Sequence, residues 1–90
     1  MKEILRKAKA GTFESSDTYV EIDAGNNDIE IELESVVELQ FGEQIKASAM
    51  EELNKNQIQN AKLSIKDHGA LDCVIRARIE TAIERALKHD

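Results

Sequence analysis

Serine hydroxyls are the side chains of this 90-residue sequence that could most simply carry a chemical modification, and two of them follow a glutamate. Ser15 follows Glu14 within a polar cluster, whereas Ser35 follows Glu34. Either hydroxyl could be the tether for a phosphodiester-linked arm. Ser35 also has a structural explanation, because residues 35–38 (Ser-Val-Val-Glu) have the capping-box spacing of a helix start. Ser15 is predicted to lie in an exposed turn, where its residue type is ordinary.

The other side chains with reactive potential do not form a recognisable catalytic group. His68 is predicted to be a turn residue and His89 lies next to the C-terminal residue, and neither has the other ligands that a zinc site needs. Cys73 is predicted to be a buried packing residue of the last helix. The four glycines are isolated, so there is no glycine-rich phosphate loop. The sequence therefore predicts a protein that is not an enzyme by itself.

Carboxylates recur in two places where a pair could perform acid–base chemistry. Glu30, Glu32 and Glu34 alternate with apolar residues, and Glu51 is adjacent to Glu52. Alternation is typical of the outer face of a strand, where such side chains are solvated. We interpret both groups as solvated surface residues.

Two arginines occur close together on the predicted last helix. Arg76 and Arg78 lie about 200° apart around the helix axis, so they cannot form one patch. Arg76 is predicted to pair with Glu80 at the i,i+4 spacing. Both are interpreted as surface-supporting residues rather than docking residues.

The composition limits the class of protein. Lys and Arg total 12 and Asp and Glu total 18, which gives a formal net charge of −6 and argues against binding to nucleic acid. No apolar run approaches the roughly 20 residues of a membrane span. A single cysteine favours a reducing compartment, so a cytoplasmic location is expected. The length predicts one domain over residues 1–90, with a flexible N-terminus over 1–7.

Hydrophobic periodicity and turn residues predict an α+β fold. A hairpin over 8–24, with strands over 8–14 and 18–24, is followed by a strand over 28–34, a helix from 35 to 54–56, a strand over 61–66 and a helix over 70–88. Each strand has one apolar face and each helix one apolar stripe. A two-layer sandwich, with both helices packed on one face of the sheet in the order ββ-β-α-β-α, buries all of these surfaces at once. The helix stripes are predicted to be Val37, Phe41, Ile45, Ala49 and Leu53, and Leu71, Ile75, Ile79, Ala82, Ile83 and Ala86.

Three segments of the sequence carry a resemblance to a known family. Residues 10–17 read Ala-Gly-Thr-Phe-Glu-Ser-Ser-Asp, residues 37–42 read Val-Glu-Leu-Gln-Phe-Gly, and residues 69–80 read Gly-Ala-Leu-Asp-Cys-Val-Ile-Arg-Ala-Arg-Ile-Glu. Together they resemble the citrate lyase acyl carrier protein (gamma subunit) family, in the family's order. The first segment is similar to the family's Ala-Gly-Thr-Leu-Glu-Ser-Gly-Asp. Ser16 stands where the family usually has glycine.

The resemblance implies a specific role for Ser15. In the family this serine carries triphosphoribosyl-dephospho-coenzyme A through a phosphodiester, added by a transferase, so a recombinant protein made without that transferase is expected to lack it. The resemblance also implies an alpha subunit that exchanges acetyl on the arm for citrate. A beta subunit then cleaves the citryl thioester to oxaloacetate and acetyl thioester.

Two alternatives fit the same residues. The protein could be the carrier of a related citramalate lyase, or a stand-alone cytosolic interaction module without a prosthetic group. Intact mass distinguishes a modified carrier from the module.

Overall fold

The computed structural model describes residues 2–36 and 38–87, without the side chains of residues 38 and 39. Within these residues the predicted element order is confirmed, and the fold is α+β. The elements are β1 (Ala8–Gly11), β2 (Thr18–Asp23), β3 (Ile29–Ser35), α1 (Glu38–Lys55), β4 (Ala61–Asp67) and α2 (Asp72–Leu87). The described boundaries fall within three residues of the predicted ones. The largest differences are the end of β1 and the start of α1, which begins at Glu38 and not at Ser35 as predicted.

The strands form one sheet in the order β1-β2-β4-β3. β1 and β2 form an antiparallel hairpin, and β2 pairs antiparallel with β4. β3 pairs parallel with β4, and α1 makes the connection between these two strands. The hairpin loop, the C-terminal end of β3 and the C-terminal end of β4 therefore lie at the same end of the sheet.

The core lies between one face of the sheet and the two helices. α2 packs on β1, β2 and α1, while α1 also contacts β3. Most strand residues that face the helices are apolar, and they alternate with exposed or half-exposed residues on the other face. Thr18 and Asp67, at the loop end of the sheet, are buried polar residues. The fully buried core side chains include Val20, Ile22, Leu53, Ile58, Leu63, Ile65, Ile79 and Ile83.

β1 is shorter than predicted because of Gly11. The residue has a φ of +95°, which ends the extended conformation at this position. A Cβ there would also collide with the carbonyl oxygen of Thr18 on the neighbouring strand. Residues 12–14, predicted to extend the strand, instead belong to the loop.

Two predicted core residues are exposed. Phe41 is 48% exposed and Leu71 is 72% exposed. Leu71 precedes α2, so the helical periodicity does not apply to it, and Phe41 lies in the first turns of α1 where no further layer covers it. Val37 lies outside the described residues.

Cys73 is exposed, so the prediction that it packs in the core was wrong. Ile75 and Ile79 define the buried side of α2. Cys73 is two residues before Ile75, which places it about 200° around the helix axis and on the opposite side.

The predicted pair between Arg76 and Glu80 was also wrong. Arg76 instead binds Asp72 at 2.7 Å on its own helix, together with Glu51 at 2.9 Å and Glu52 at 3.3 Å on α1. These contacts arise because α1 lies beside α2. The carboxylates of Asp72 and Glu51 raise the pKa of Arg76, and the Ser48 hydroxyl and Arg76 lower the pKa of Asp72.

Glu52 contradicts the interpretation of Glu51 and Glu52 as solvated residues. It is only 4% exposed, because it lies at the packed junction of the two helices beside Arg76. Glu80 pairs with Lys55 of α1 at 3.7 Å. The ion pairs of this region therefore join the two helices.

The N-terminal segment runs beside the ends of both helices. The amide of Lys2 donates to the carbonyl of Gln57 at 2.9 Å, and the amide of Leu5 donates to the carbonyl of Ala86 at 3.0 Å. Ile4 packs against the core. Flexibility of residues 1–7 stays a prediction. Neither described helix has the length and apolarity to cross a membrane.

α1 ends in a Schellman motif. The amide of Ile58 donates to the carbonyl of Leu53 at 2.9 Å, and that of Gln57 donates to the carbonyl of Asn54 at 3.0 Å. Leu53 and Ile58 are both fully buried, as the motif's hydrophobic contact requires. Gln57 has a φ of +62°, the left-handed conformation that usually belongs to glycine.

We predict that Gln57→Gly stabilises the protein by about 0.5–1 kcal/mol. The left-handed conformation costs a residue with a Cβ about 1–2 kcal/mol, and the greater freedom of glycine in the unfolded chain offsets part of this gain. Urea denaturation measures the difference. The control is Gln59→Gly, because Gln59 is exposed and does not have a positive φ. A loss of stability in Gln57→Gly would contradict this account of the helix end.

Candidate attachment site

The loop between β1 and β2, residues 12–17, carries Ser15 at one end of the sheet. Ser15 is exposed and lies in a turn, as the sequence predicted. Neither its amide nor its hydroxyl forms a hydrogen bond with a described residue. The Ser15 hydroxyl is therefore accessible and has no structural role in the described fold.

The backbone on the C-terminal side of Ser15 is held by His68. The amide of Ser16 donates to the carbonyl of His68 at 2.8 Å, and the amide of His68 donates to the carbonyl of Asp17 at 3.0 Å. The amide of Asp17 also donates to the carbonyl of Glu14 at 3.2 Å, closing the turn across Ser15. The turn that presents Ser15 is thus fixed to the residue that follows β4.

Asp17 fixes the same loop to α2 through its side chain. Its carboxylate accepts two hydrogen bonds from Arg78, at 3.1 and 3.0 Å, which is the bidentate geometry that gives the strongest charged hydrogen bonds. It also accepts from the Thr12 hydroxyl at 2.6 Å and from the Thr18 amide at 2.7 Å. The Thr12 hydroxyl, Arg78 and the Thr18 amide together lower the pKa of Asp17 to about 2.

Ser16 adopts a strained conformation. Its φ is +63°, which lies in the left-handed region that favours glycine. This explains why the family's motif has glycine at the matching position. Ser16 therefore meets the backbone requirement of the turn at a cost in free energy.

Phe13 and Tyr19 form an aromatic pair beside Ser15. Their rings are stacked with centroids 4.4 Å apart and planes 28° apart, and the His68 ring meets Phe13 edge-on at 6.0 Å. The Nδ1 atom of His68 is buried without a hydrogen-bond partner among the described residues. His68 is thus a turn residue, as predicted, but one that contacts the loop through both its backbone and its ring.

The other residues that the sequence suggested as candidates lie outside the loop between β1 and β2. Ser35 is the last residue of β3, and its hydroxyl donates to Asp67 at 2.9 Å. The predicted capping box at Ser35 includes a residue outside the described range and stays a prediction. Glu30, Glu32 and Glu34 are exposed, as predicted. Within residues 2–36 and 38–87, no group of histidines, cysteines and carboxylates could hold a metal ion.

Sequence reasoning missed the residues that position Ser15. Asp17 and Arg78 are separated by 61 positions, and no local pattern joins residues so distant. Both lie inside the segments that resemble the carrier family. The resemblance therefore indicated the right segments without indicating the contact between them.

The arrangement suits a hydroxyl that accepts a group from another protein. Because the Ser15 hydroxyl has no hydrogen-bond partner among the described residues, no described side chain is placed to remove its proton. A serine becomes a strong nucleophile when an adjacent base activates it, and the described residues place no base beside Ser15.

A family comparison identifies the class of protein. The sequence model of the acyl carrier family described as "Malonate decarboxylase delta subunit (MdcD)" matches residues 5–86, nearly the whole chain. The chain is thus an acyl carrier protein, and its fold contains a four-stranded sheet as well as two helices.

Individual relatives identify the family more specifically. The chain is 50% identical to the citrate lyase acyl carrier protein of Oenococcus oeni over 98% of its own length and 91% of that relative. It is 51% identical to the citrate lyase acyl carrier protein of Lactiplantibacillus plantarum over 96% of its length and 90% of that relative. The chain belongs to the citrate lyase acyl carrier protein family. It is a carrier and not a catalyst, as the sequence predicted.

A solved structure confirms the fold. One chain of a malonate decarboxylase hetero-tetramer from Pseudomonas, determined in complex with malonate, matches with a TM-score of 0.76. The match covers 94% of this chain and 88% of that chain, at 22% sequence identity. At this identity the similarity shows the shared fold alone.

We predict that the ion pair between Asp17 and Arg78 persists to a pH of about 2. The pKa of Asp17 is depressed in the folded protein, so its contribution to stability is complete above the ordinary carboxyl pKa of about 4 and is lost as the pH falls towards 2. The stability difference between the wild type and Asp17→Asn should therefore shrink over this pH range. Urea denaturation at several pH values measures it.

The titration of the Asp17 carboxyl carbon by NMR gives an independent test. Thr12→Val and Arg78→Ala should each raise the pKa of Asp17, because each removes a donor to its carboxylate. Arg85→Ala is the matched control, since Arg85 lies on the same helix but donates to the carbonyl of Lys9. An Asp17 pKa that is unchanged in both Thr12→Val and Arg78→Ala would contradict the proposed cause of the lowered pKa.

Proposed function

We propose that this protein is the acyl carrier subunit of a citrate lyase and that Ser15 is the residue that bears its prosthetic group. The arm would be triphosphoribosyl-dephospho-coenzyme A, joined to the serine by a phosphodiester. The observation that carries this proposal is the exposed Ser15 hydroxyl, without a structural role, on a loop whose neighbouring residues are all anchored.

The described residues fit such a group. The exposed turn gives a modifying transferase access to the hydroxyl, and the fixed loop gives that enzyme a constant shape to bind. In the attachment step, the Ser15 oxygen would form an O–P bond with the innermost phosphorus of the donor's triphosphate, while the P–O bond to the outer two phosphates breaks and pyrophosphate leaves. The transferase would take the hydroxyl proton, because no described residue is placed to do so. A phosphodiester at this position projects into solvent and disturbs no core contact.

The arm supplies a terminal thiol, which converts an unreactive carboxylate into a thioester. The protein supplies the attachment point and keeps the arm near its partners. Tethering raises the effective concentration of the arm at a bound active site, to the millimolar range for short flexible links. The partners in this proposal are the alpha subunit, which exchanges acetyl for citrate, and the beta subunit, which cleaves the citryl thioester, in the cytoplasm.

A second candidate is the carrier of a malonate decarboxylase. The family model that matches carries that description, and the matching solved structure is such an enzyme. The difference in identity favours the citrate lyase: about 50% to citrate lyase carriers, against 22% to the malonate decarboxylase chain. Reconstitution with the subunits of each enzyme separates the two candidates.

We predict that Ser15→Ala abolishes both attachment of the arm and citrate cleavage by the reconstituted complex. The fold and its stability should change by no more than about 0.5 kcal/mol, because an exposed side chain without contacts is removed. Peptide-level mass spectrometry, after co-expression with the transferase and the arm-synthesising enzyme, measures attachment.

Two other serines provide controls. Ser16→Gly should keep the arm, because it removes the second hydroxyl of the loop and relieves the left-handed strain. Ser35→Ala should also keep the arm while losing about 1 kcal/mol of stability with its hydrogen bond to Asp67. An arm found on Ser16 or Ser35, or retained by Ser15→Ala, would show that the attachment residue is wrong.

A further inference from the structure

The surface beside Ser15 contains a groove that the carrier function does not explain. One wall is Phe13, which is 58% exposed, and another is Val36, which is 71% exposed. Lys66, His68 and Glu34 also line it, and its volume is about 270 Å³. We call this cavity the Phe13 groove. Sites for small molecules usually measure roughly 300–1,000 Å³, so the Phe13 groove fits one ring system and not a whole nucleotide arm.

The Phe13 groove offers a surface for stacking. Phe13 and Tyr19 are two of only three aromatic residues in the chain, the third being Phe41. Their rings are stacked directly beside the loop that carries Ser15. An exposed aromatic ring that is supported by a second ring is the arrangement on which nucleobases stack.

The polar groups of the Phe13 groove fit a neutral ring that both donates and accepts hydrogen bonds. Lys66 is the register partner of Glu34 on the neighbouring strand, so one cation and one carboxylate lie side by side. Lys66 forms no ion pair with a described residue. The carboxylate opposes entry of a phosphate, whereas an amino-substituted purine can donate to a carboxylate and accept from an ammonium.

The groove is within reach of the attachment point. Phe13 is two residues from Ser15, so their Cα atoms are at most about 7 Å apart. His68, at the groove, accepts a hydrogen bond from the amide of Ser16 at 2.8 Å. A nucleotide-bearing arm on Ser15 would therefore have its base held at high effective concentration next to the groove.

We infer that the Phe13 groove is a resting site for the aromatic base of the arm carried by this same chain. The inference rests on the proposed attachment to Ser15. The docked base would leave the thiol end of the arm free to move between partner subunits while its attached end is held against the carrier. Phe13 stands where the family's motif has leucine, so the stacking surface belongs to this chain rather than to the motif.

Phe13→Leu is the variant that tests the inference. It keeps an apolar side chain over Tyr19 and restores the family's residue, so the fold should be retained, while the aromatic stacking surface is lost. Phe41→Leu is the matched control, because Phe41 is similarly exposed at 48% but lies on α1.

The readout is the difference in amide chemical shifts between the arm-bearing and unmodified proteins, measured by NMR. In the wild type and in Phe41→Leu, shifts should extend beyond the attachment loop to residues 34–36 and 66–68, with contacts between adenine ring protons and the Phe13 ring in NOE spectra. In Phe13→Leu the docking equilibrium should weaken at least about fivefold, the effect of one lost base–aromatic stack.

A chemically defined arm separates this inference from the proposed function. Cys73→Ser removes the exposed thiol, and Ser15→Cys in that background can be labelled with a maleimide-linked adenosine or with N-ethylmaleimide, which lacks a base. Groove shifts that appear with the adenosine label and not with N-ethylmaleimide support the inference, even if the transferase proves to modify a different residue.

Three results would overturn the inference. One is a set of shifts confined to residues 14–16 with either arm, and another is groove shifts that survive unchanged in Phe13→Leu. The third is a groove that responds only when partner subunits are added, which would make it a protein-docking site. A different result would refute the proposed function and leave the inference standing. In that result the transferase attaches no arm to Ser15, but the adenosine label on residue 15 still docks in the groove.

Discussion

The paired hydrogen bonds between Asp17 and Arg78 are the interaction on which the conformation of the Ser15 loop depends. They join a hairpin loop to the middle of α2, across 61 positions of sequence. The Asp17 side chain is 14% exposed and the Arg78 side chain is 40% exposed. Thr12 and the Thr18 amide complete the shell around the same carboxylate. A single aspartate thereby fixes both strand ends of the hairpin to each other and to the helix layer.

The rest of the loop follows from this constraint. With Asp17 held, its carbonyl accepts a hydrogen bond from the His68 amide, and the His68 carbonyl accepts one from the Ser16 amide. The turn then closes through Ser16 in the left-handed conformation. Gly11 begins the loop where no side chain would fit against Thr18. Every neighbour of Ser15 thus has a structural role, and Ser15 itself remains available. This combination fits the proposed attachment to Ser15, because a modifying enzyme would meet a fixed loop and an accessible hydroxyl.

Local patterns predicted the elements well, since alternation and helical periodicity report directly which side of each element is buried. They failed where the environment of a residue depends on the neighbouring element. Arg76 satisfies the i,i+4 rule with Glu80, but the adjacent α1 offers it Glu51 and Glu52 instead. Leu71 and Phe41 continue the apolar stripes in sequence, yet both side chains are exposed. Leu71 precedes α2, and Phe41 lies in the first turns of α1. Cys73 was predicted to be buried because of its residue type, although its position on α2 is on the side opposite Ile75. At the candidate site, exposure of Ser15 followed from turn residues, whereas its anchoring depends on a long-range ion pair that no local pattern contains.

Amide hydrogen exchange across residues 12–18 measures whether the loop is anchored while Ser15 is free. We expect slow exchange for the Ser16, Asp17 and Thr18 amides, which donate to His68, Glu14 and the Asp17 carboxylate, and fast exchange for the Ser15 amide. Arg78→Ala should accelerate exchange of these three amides and leave that of Ser15 unchanged. Uniformly fast exchange through the loop of the wild-type protein, or protection of Ser15 equal to that of Ser16, would contradict this expectation.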